Sequence, residues 1–211
     1  MQPLATLQTL LPLVETEGFL VCGPVAGLTD EALLELEQAL GAYRIETNAD
    51  NTLNIVGGTG GRTGRINALI TRLLVNWAEA AGTGYVFDSS TNFRFSPAVV
   101  RSPDAAWVRK ERFDALTTAQ QEGFPPLCPD FVLEIRSKSD RIGDGSIRDL
   151  LPKMEEYLAF GVRLAWLLDP IEQTVYIHRP GQPHEVVTGF DRTLSGEDVL
   201  PGFELPLSSI K

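Results

Sequence analysis

Asp104 and Glu134 are two carboxylates, 30 residues apart, in segments that read as buried strands. The first lies in Ser102-Pro103-Asp104-Ala105-Ala106-Trp107-Val108, the second in Pro129-Asp130-Phe131-Val132-Leu133-Glu134-Ile135-Arg136-Ser137. A carboxylate in such apolar, β-branched and aromatic surroundings is costly unless it is paired, hydrogen-bonded or bound to a cation. A hard cation such as Mg²⁺ takes one or two carboxylates plus waters and phosphate oxygens. Acids on neighbouring strands can therefore build one metal site.

Pro103-Asp104 followed by Glu134-Ile135-Arg136 resembles the PD-(D/E)-x-K nuclease superfamily, with Arg in place of the final Lys. The surrounding text resembles the Uma family of restriction endonucleases. The matching segments begin with Gly58 to Asn67, Val86 to Thr91 and Arg101 to Val108. They continue with Phe124 to Phe131, Lys153-Met154-Glu155-Glu156-Tyr157, and Gly161 to Pro170. The resemblance spans roughly residues 40 to 205. It implies a restriction-endonuclease-like α/β fold, a central mixed β-sheet flanked by helices. It also implies Mg²⁺-dependent endonucleolytic hydrolysis of DNA, with Mn²⁺ as a substitute, and Asp104 and Glu134 as the metal ligands. A homodimer is the family analogy for cutting a duplex.

The departure is at position 136. In the superfamily a Lys there positions the attacking water or stabilises the developing charge. Arg136 can neutralise phosphate charge, but a guanidinium is a poor proton-transfer group. Lys138 shares the strand parity of Glu134, and Lys153 sits on the following helix within a matching segment. The resemblance favours Lys153 in the missing role, with Arg136 as an electrostatic helper.

Each of these residues also has an ordinary structural reading. Asp104 could cap a Ser-Pro-Asp turn. Glu134 could pair with Arg136, and Lys153 could be a solvated helix lysine beside Glu156 or Tyr157. Glu46, Asp88 and Asp130 are further acids in or beside strands that could complete a metal shell, with turn or surface roles favoured for each. The glycine-rich run 57–64 lacks both the G-x-G-x-x-G and the Walker patterns. It reads as a loop before a helix N-terminus, where Arg62 and Arg65 could contact a DNA phosphate. Asp140 to Gly145 resembles a calcium loop but carries Ile at its third position and Leu151 at its twelfth. No G-x-S-x-G elbow is present, and two histidines give a catalytic triad little support.

The elements that must position these groups can be outlined. Residues 1–28 read as an irregular lead. A helix is expected over Asp30 to Leu40, with Leu33, Leu36 and Leu40 on one face and Gly41 ending it. A β-hairpin follows over 43–47 and 52–56. The next helix is expected from about Arg65 to Ala80, with Ile66, Leu69, Leu73 and Trp77 on one face. Short strands at 85–88, 92–95, 99–101 and 104–109 precede a polar connector over 110–130. A strand over 131–136, a helix from near Pro152 to before Gly161, and strands at 162–168, 173–178 and 184–188 complete the outline.

At 211 residues and 43% hydrophobic content, the chain is expected to form a single domain over 1–211. No apolar run approaches the roughly 20 residues of a membrane helix. No Lys or Arg precedes the apolar stretches of Met1 to Val25, which argues against a secretory signal. Cys22 and Cys128 are too few for a disulfide framework or a zinc cluster, and His178 and His184 add little. A reduced cytoplasm is the expected compartment. The net charge of −10 weighs against a nucleic-acid partner, yet from Arg62 to Arg163 there are 14 Lys and Arg against 13 Asp and Glu. The acidity therefore belongs to the flanks. The rival readings are a non-catalytic DNA-binding or interaction protein on a degenerate nuclease fold, and a phosphodiesterase acting on RNA or a small nucleotide.

Overall fold

The computed structural model describes residues 19–22, 29–41, 43–137, 147 and 150–211. In chain order the elements are β1 (Phe19–Cys22), α1 (Asp30–Leu40), β2 (Arg44–Thr47), β3 (Leu53–Val56), α2 (Gly61–Ala81), β4 (Gly84–Asp88) and β5 (Phe93–Arg94). Then come β6 (Val100–Arg101), β7 (Ala105–Arg109), α3 (Lys110–Asp114), α4 (Thr118–Glu122), β8 (Phe131–Ile135) and α5 (Leu151–Ala159). The chain finishes with β9 (Leu164–Asp169), β10 (Thr174–His178), β11 (Glu185–Thr188), β12 (Thr193–Ser195), β13 (Glu204–Pro206) and a 3₁₀ turn, Leu207–Ile210.

Among the described residues the central sheet has the order β11-β10-β9-β8-β7-β4, parallel only between β8 and β9. A parallel pair needs a crossover, and α5 lies on that crossover. This is the mixed sheet flanked by helices that the sequence implied. A second sheet, β1-β3-β2-β6-β5, carries the early hairpin.

The alternation along each strand separates two packing layers. Ala105, Trp107, Phe131, Leu133, Ile135, Leu164, Trp166 and Leu168 face α2 and the C-terminal segment. Ala106, Val108, Val132, Ala165 and Leu167 face α5 through Met154 and Tyr157. Asp104 and Glu134 are even-numbered and continue the second set. Leu33, Leu36 and Leu40 of α1 cover Ile45, Leu53 and Ile55 of the small sheet. That leaves Glu46, of opposite parity, facing away from α1.

Several boundaries differ from expectation. Phe19–Cys22, inside the lead read as irregular, pairs antiparallel with β3. The connector over 110–130 contains α3 and α4, the latter closed by a capping box between Thr117 and Gln120. Helix α2 starts at Gly61 and buries Ile66, Ile70, Leu74 and Ala78 most deeply, with Leu69, Leu73 and Trp77 at the flank. The flank of α2 meets a C-terminal segment whose β12–β13 hairpin and 3₁₀ turn were not among the expected elements. There Trp77 packs on Phe203, and its indole N–H donates to the Pro201 carbonyl at 3.0 Å. The segment 140–145, which resembles a calcium loop, and Lys138 lie outside the described residues.

Candidate active site

The pairing of β7 with β8 sets Ala105 against Leu133. Extended by one residue, the same register places Asp104 opposite Glu134 on the α5 face. Asp104 Oδ2 accepts the backbone N–H of Ile135 at 2.8 Å, which ties the acid to the end of β8. Its other oxygen lies 3.6 Å from the Arg44 guanidinium. The turn reading of Asp104 thus gives way to a bond across strands.

Glu134 faces α5. Its Oε1 accepts the Tyr157 hydroxyl at 2.6 Å and lies 3.0 Å from the Lys153 ammonium. Lys153 and Tyr157 are four residues apart, so one helical face delivers both. Lys153 also donates to Glu46 Oε1 at 2.8 Å, and its side chain is only 22% exposed. It is therefore no solvated surface lysine. Glu46 comes from the second sheet, is 6% exposed, and also accepts the Ser102 N–H at 3.1 Å. Buried Arg101 holds this corner together: it bonds the Thr47 carbonyl at 2.7 Å and the Asn48 side chain at 3.0 Å, and pairs with Glu156 at 2.6 Å. The site is thus a seam between two sheets, closed by α5.

Electrostatics distinguishes the acids. Burial pushes Glu46 up, but Lys153 and Arg101 outweigh it and hold its carboxyl below the usual range. Burial raises Glu134, and repulsion from Asp104 and Glu46 adds to it, so its carboxyl titrates above the usual range despite Lys153. Burial opposes the charge on Lys153, yet Glu134 and Glu46 raise its pKa. The ammonium stays protonated and can act as a hydrogen-bond donor, not as a base. Burial and the two glutamates push the Tyr157 phenol well up.

This donor set fits a hard divalent cation. Its carboxylate oxygens are the preferred Mg²⁺ ligands, and like charge on buried acids is what such a cation relieves. Among the described residues, Glu134 Oε2 makes no hydrogen bond and is available for coordination.

Other candidates lie elsewhere. Arg136 pairs with Asp169 at 2.7 Å, not with Glu134, and Asp169 also caps the turn through the N–H groups of Ile171 and Glu172. Arg62 and Arg65 belong to α2, on the opposite face of the sheet, and donate to the carbonyls of Pro170 and Lys211. The fold does not bring them to the acids. Asp88 closes a turn onto Ser90, and buried Asp130 sits at the far end of β8 with Arg109 and Arg112. Arg44 and Arg101 were not singled out from the sequence, since a lone Arg at the end of a short strand carries no signal of its own. Glu46 stood in the sequence as one of three acids that could complete a metal shell, with a turn or surface role favoured; its burial at 6% exposure and its bond to Lys153 correct that role.

The family described as "Uma2: Putative restriction endonuclease" matches residues 30–208. The chain belongs to the Uma2 family. Its fold is similar to that of a crystal structure from Anabaena variabilis ATCC 29413, described as a "putative nuclease belonging to DUF820". The TM-score is 0.66 at 19% identity, covering 87% of this chain and 97% of that one. At that identity the likeness speaks for the fold alone. No curated protein matches the chain. No described helix of this Uma2 chain is long and apolar enough to cross a membrane.

Proposed function

We infer that this Uma2 protein hydrolyses DNA phosphodiester bonds with a divalent cation of the Mg²⁺ type, for which Mn²⁺ can substitute. The observation that carries the reading is Lys153, which reaches Glu134 at 3.0 Å and Glu46 at 2.8 Å in the seam where Asp104 stands opposite Glu134. Asp104 and Glu134 are the metal ligands in this reading, with Glu46 holding Lys153 from the other side. The bound cation would polarise the scissile phosphate and lower the pKa of a coordinated water. Lys153, kept charged by its glutamates, would orient the attacking water or donate to the phosphoryl oxygen as negative charge develops. Tyr157 fixes the Glu134 carboxylate through its hydroxyl. Arg136, paired with Asp169 at 2.7 Å, would act as an electrostatic helper.

Arg62 and Arg65, on the other face, would contact DNA only beyond the cleaved phosphate, so replacing both by Ala should weaken binding without changing the cleavage step. A homodimer would present one such seam to each strand of a duplex. Sedimentation of the protein with and without a short duplex tests that.

The central test is plasmid cleavage by the purified chain in Mg²⁺, in Mn²⁺ and in EDTA. Wild type is expected to cut only with the cation, and Glu134→Gln not at all, although it remains folded. Equal rates for the two proteins would remove the proposed site. The arginine at position 136, where the superfamily has Lys, supports the rival, non-catalytic reading, and retention of DNA without any cleavage by wild type would establish it.

A further inference from the structure

The chain has two histidines, and the fold puts them face to face. Strands β10 and β11 pair Ile177 with Glu185, so the register extended by one residue sets His178 opposite His184. Their ring centroids lie 5.1 Å apart. Glu155 approaches from α5, with Oε1 3.1 Å from His178 Nδ1. One ligand atom from each residue lies within 4.8 Å of the others. We propose that Glu155, His178 and His184 bind a transition-metal ion of the Zn²⁺ type, which fastens α5 to the β10–β11 hairpin.

The chemistry of the set supports this. Two imidazoles and one carboxylate form an open zinc set with the fourth position left to water. Bonds of about 2.0–2.1 Å in a tetrahedron put ligand atoms on the order of 3.4 Å apart. Glu155 and His178 already stand at that spacing. His184 and Glu155 are exposed, so side-chain rotation can bring the third ligand in without disturbing the sheet. His178 is 1% exposed, which holds its ring in this place. Nδ1, which faces Glu155 at 3.1 Å, is the nitrogen placed to coordinate, and Nε2 would then carry the proton.

The site is separate from the acidic seam. At about 100° per residue, Glu155 is turned roughly 200° around α5 from Lys153. It is built from nitrogen donors that a Mg²⁺ site does not use. The proposal does not depend on the nuclease reading.

The test uses the full untagged chain, stripped with a chelator and titrated with ZnCl₂ in the presence of millimolar MgCl₂. Calorimetry should show one equivalent bound, and Co²⁺ in its place should give the visible absorption of a four-coordinate ion. His184→Ala and Glu155→Gln, both at exposed positions, should each weaken Zn²⁺ by at least about tenfold, the lower end of what perturbing a metal shell costs. Glu134→Gln should leave the Zn²⁺ affinity unchanged. Absence of Zn²⁺ binding by wild type overturns the proposal. So does binding that survives His184→Ala or is lost in Glu134→Gln.

Discussion

At the scale of single residues, Lys153 stands against Glu134 and Glu46 while Arg136 pairs with Asp169, so their replacement should have different effects. Lys153→Ala should slow DNA cleavage by about 10²–10³ while the cation still binds, because one charge contact of the transition state is gone. Single-turnover rates alongside metal titration would separate the two effects. Arg136→Ala should act on stability instead. It leaves Asp169, 1% exposed in its side chain, without its countercharge, a loss of roughly 3 kcal/mol by urea unfolding. An inactive but equally stable Arg136→Ala protein would return the arginine to the chemistry. Glu134 carries a signed pH effect. Its folded pKa is raised, so the metal-free fold holds the proton more tightly than the unfolded chain does. Stability is therefore lost as pH rises through that raised pKa. Glu134→Gln should melt above wild type at neutral pH in EDTA, and the gap should close as the solution is acidified. A Glu134→Gln protein that melts lower at neutral pH would contradict this sign.

At the scale of elements, the site depends on strands held in one register. Strand β4 closes the sheet beside β7, and Gly84 lies against the Trp107 indole. A Cβ added there would meet the Val108 carbonyl at 2.4 Å and the Trp107 ring at 2.5 Å. Both obstacles are backbone or buried aromatic, so neither can yield cheaply. Gly84→Ala should cost about 1–3 kcal/mol, read as a lower denaturation midpoint with an unchanged slope. The expected outline for this region agrees within a residue or two, since short apolar, β-branched and aromatic runs over 105–109 and 131–135 mark buried strands. The pairing between them is a different matter. Nothing local in either segment says that Asp104 should face Glu134.

For the molecule as a whole, the C-terminal segment is part of the core. Phe203, Leu205, Leu207 and Ile210 are each 2% exposed or less. Burying such side chains contributes about 1.5–3 kcal/mol apiece, so together they approach the entire stability of a typical domain. Truncation after Gly202 should give an unfolded or insoluble protein, checked by circular dichroism and solubility on expression. A folded, cooperative truncated protein would mean that the segment merely decorates the fold. The charge distribution belongs to this scale too. Acidic flanks surround a near-neutral middle, and Arg101 and Lys153 from that middle converge on the acids with Arg44 from the N-terminal flank.

The sequence alone determined the type of most elements, because period and punctuation are local: Leu33, Leu36 and Leu40 define α1, Gly41 ends it, and Phe131 to Ile135 read as a strand. It also singled out Asp104 and Glu134, since charge in an apolar strand is conspicuous without any partner in view. Tertiary structure alone decided the company those acids keep. Glu46 lies 107 residues from Lys153 along the chain, yet its carboxylate is 2.8 Å from the ammonium. Arg136, two residues from Glu134, turns to Asp169 instead. Pair energies of buried charges depend on distance and on exclusion of water, and packing of one sheet against another sets both.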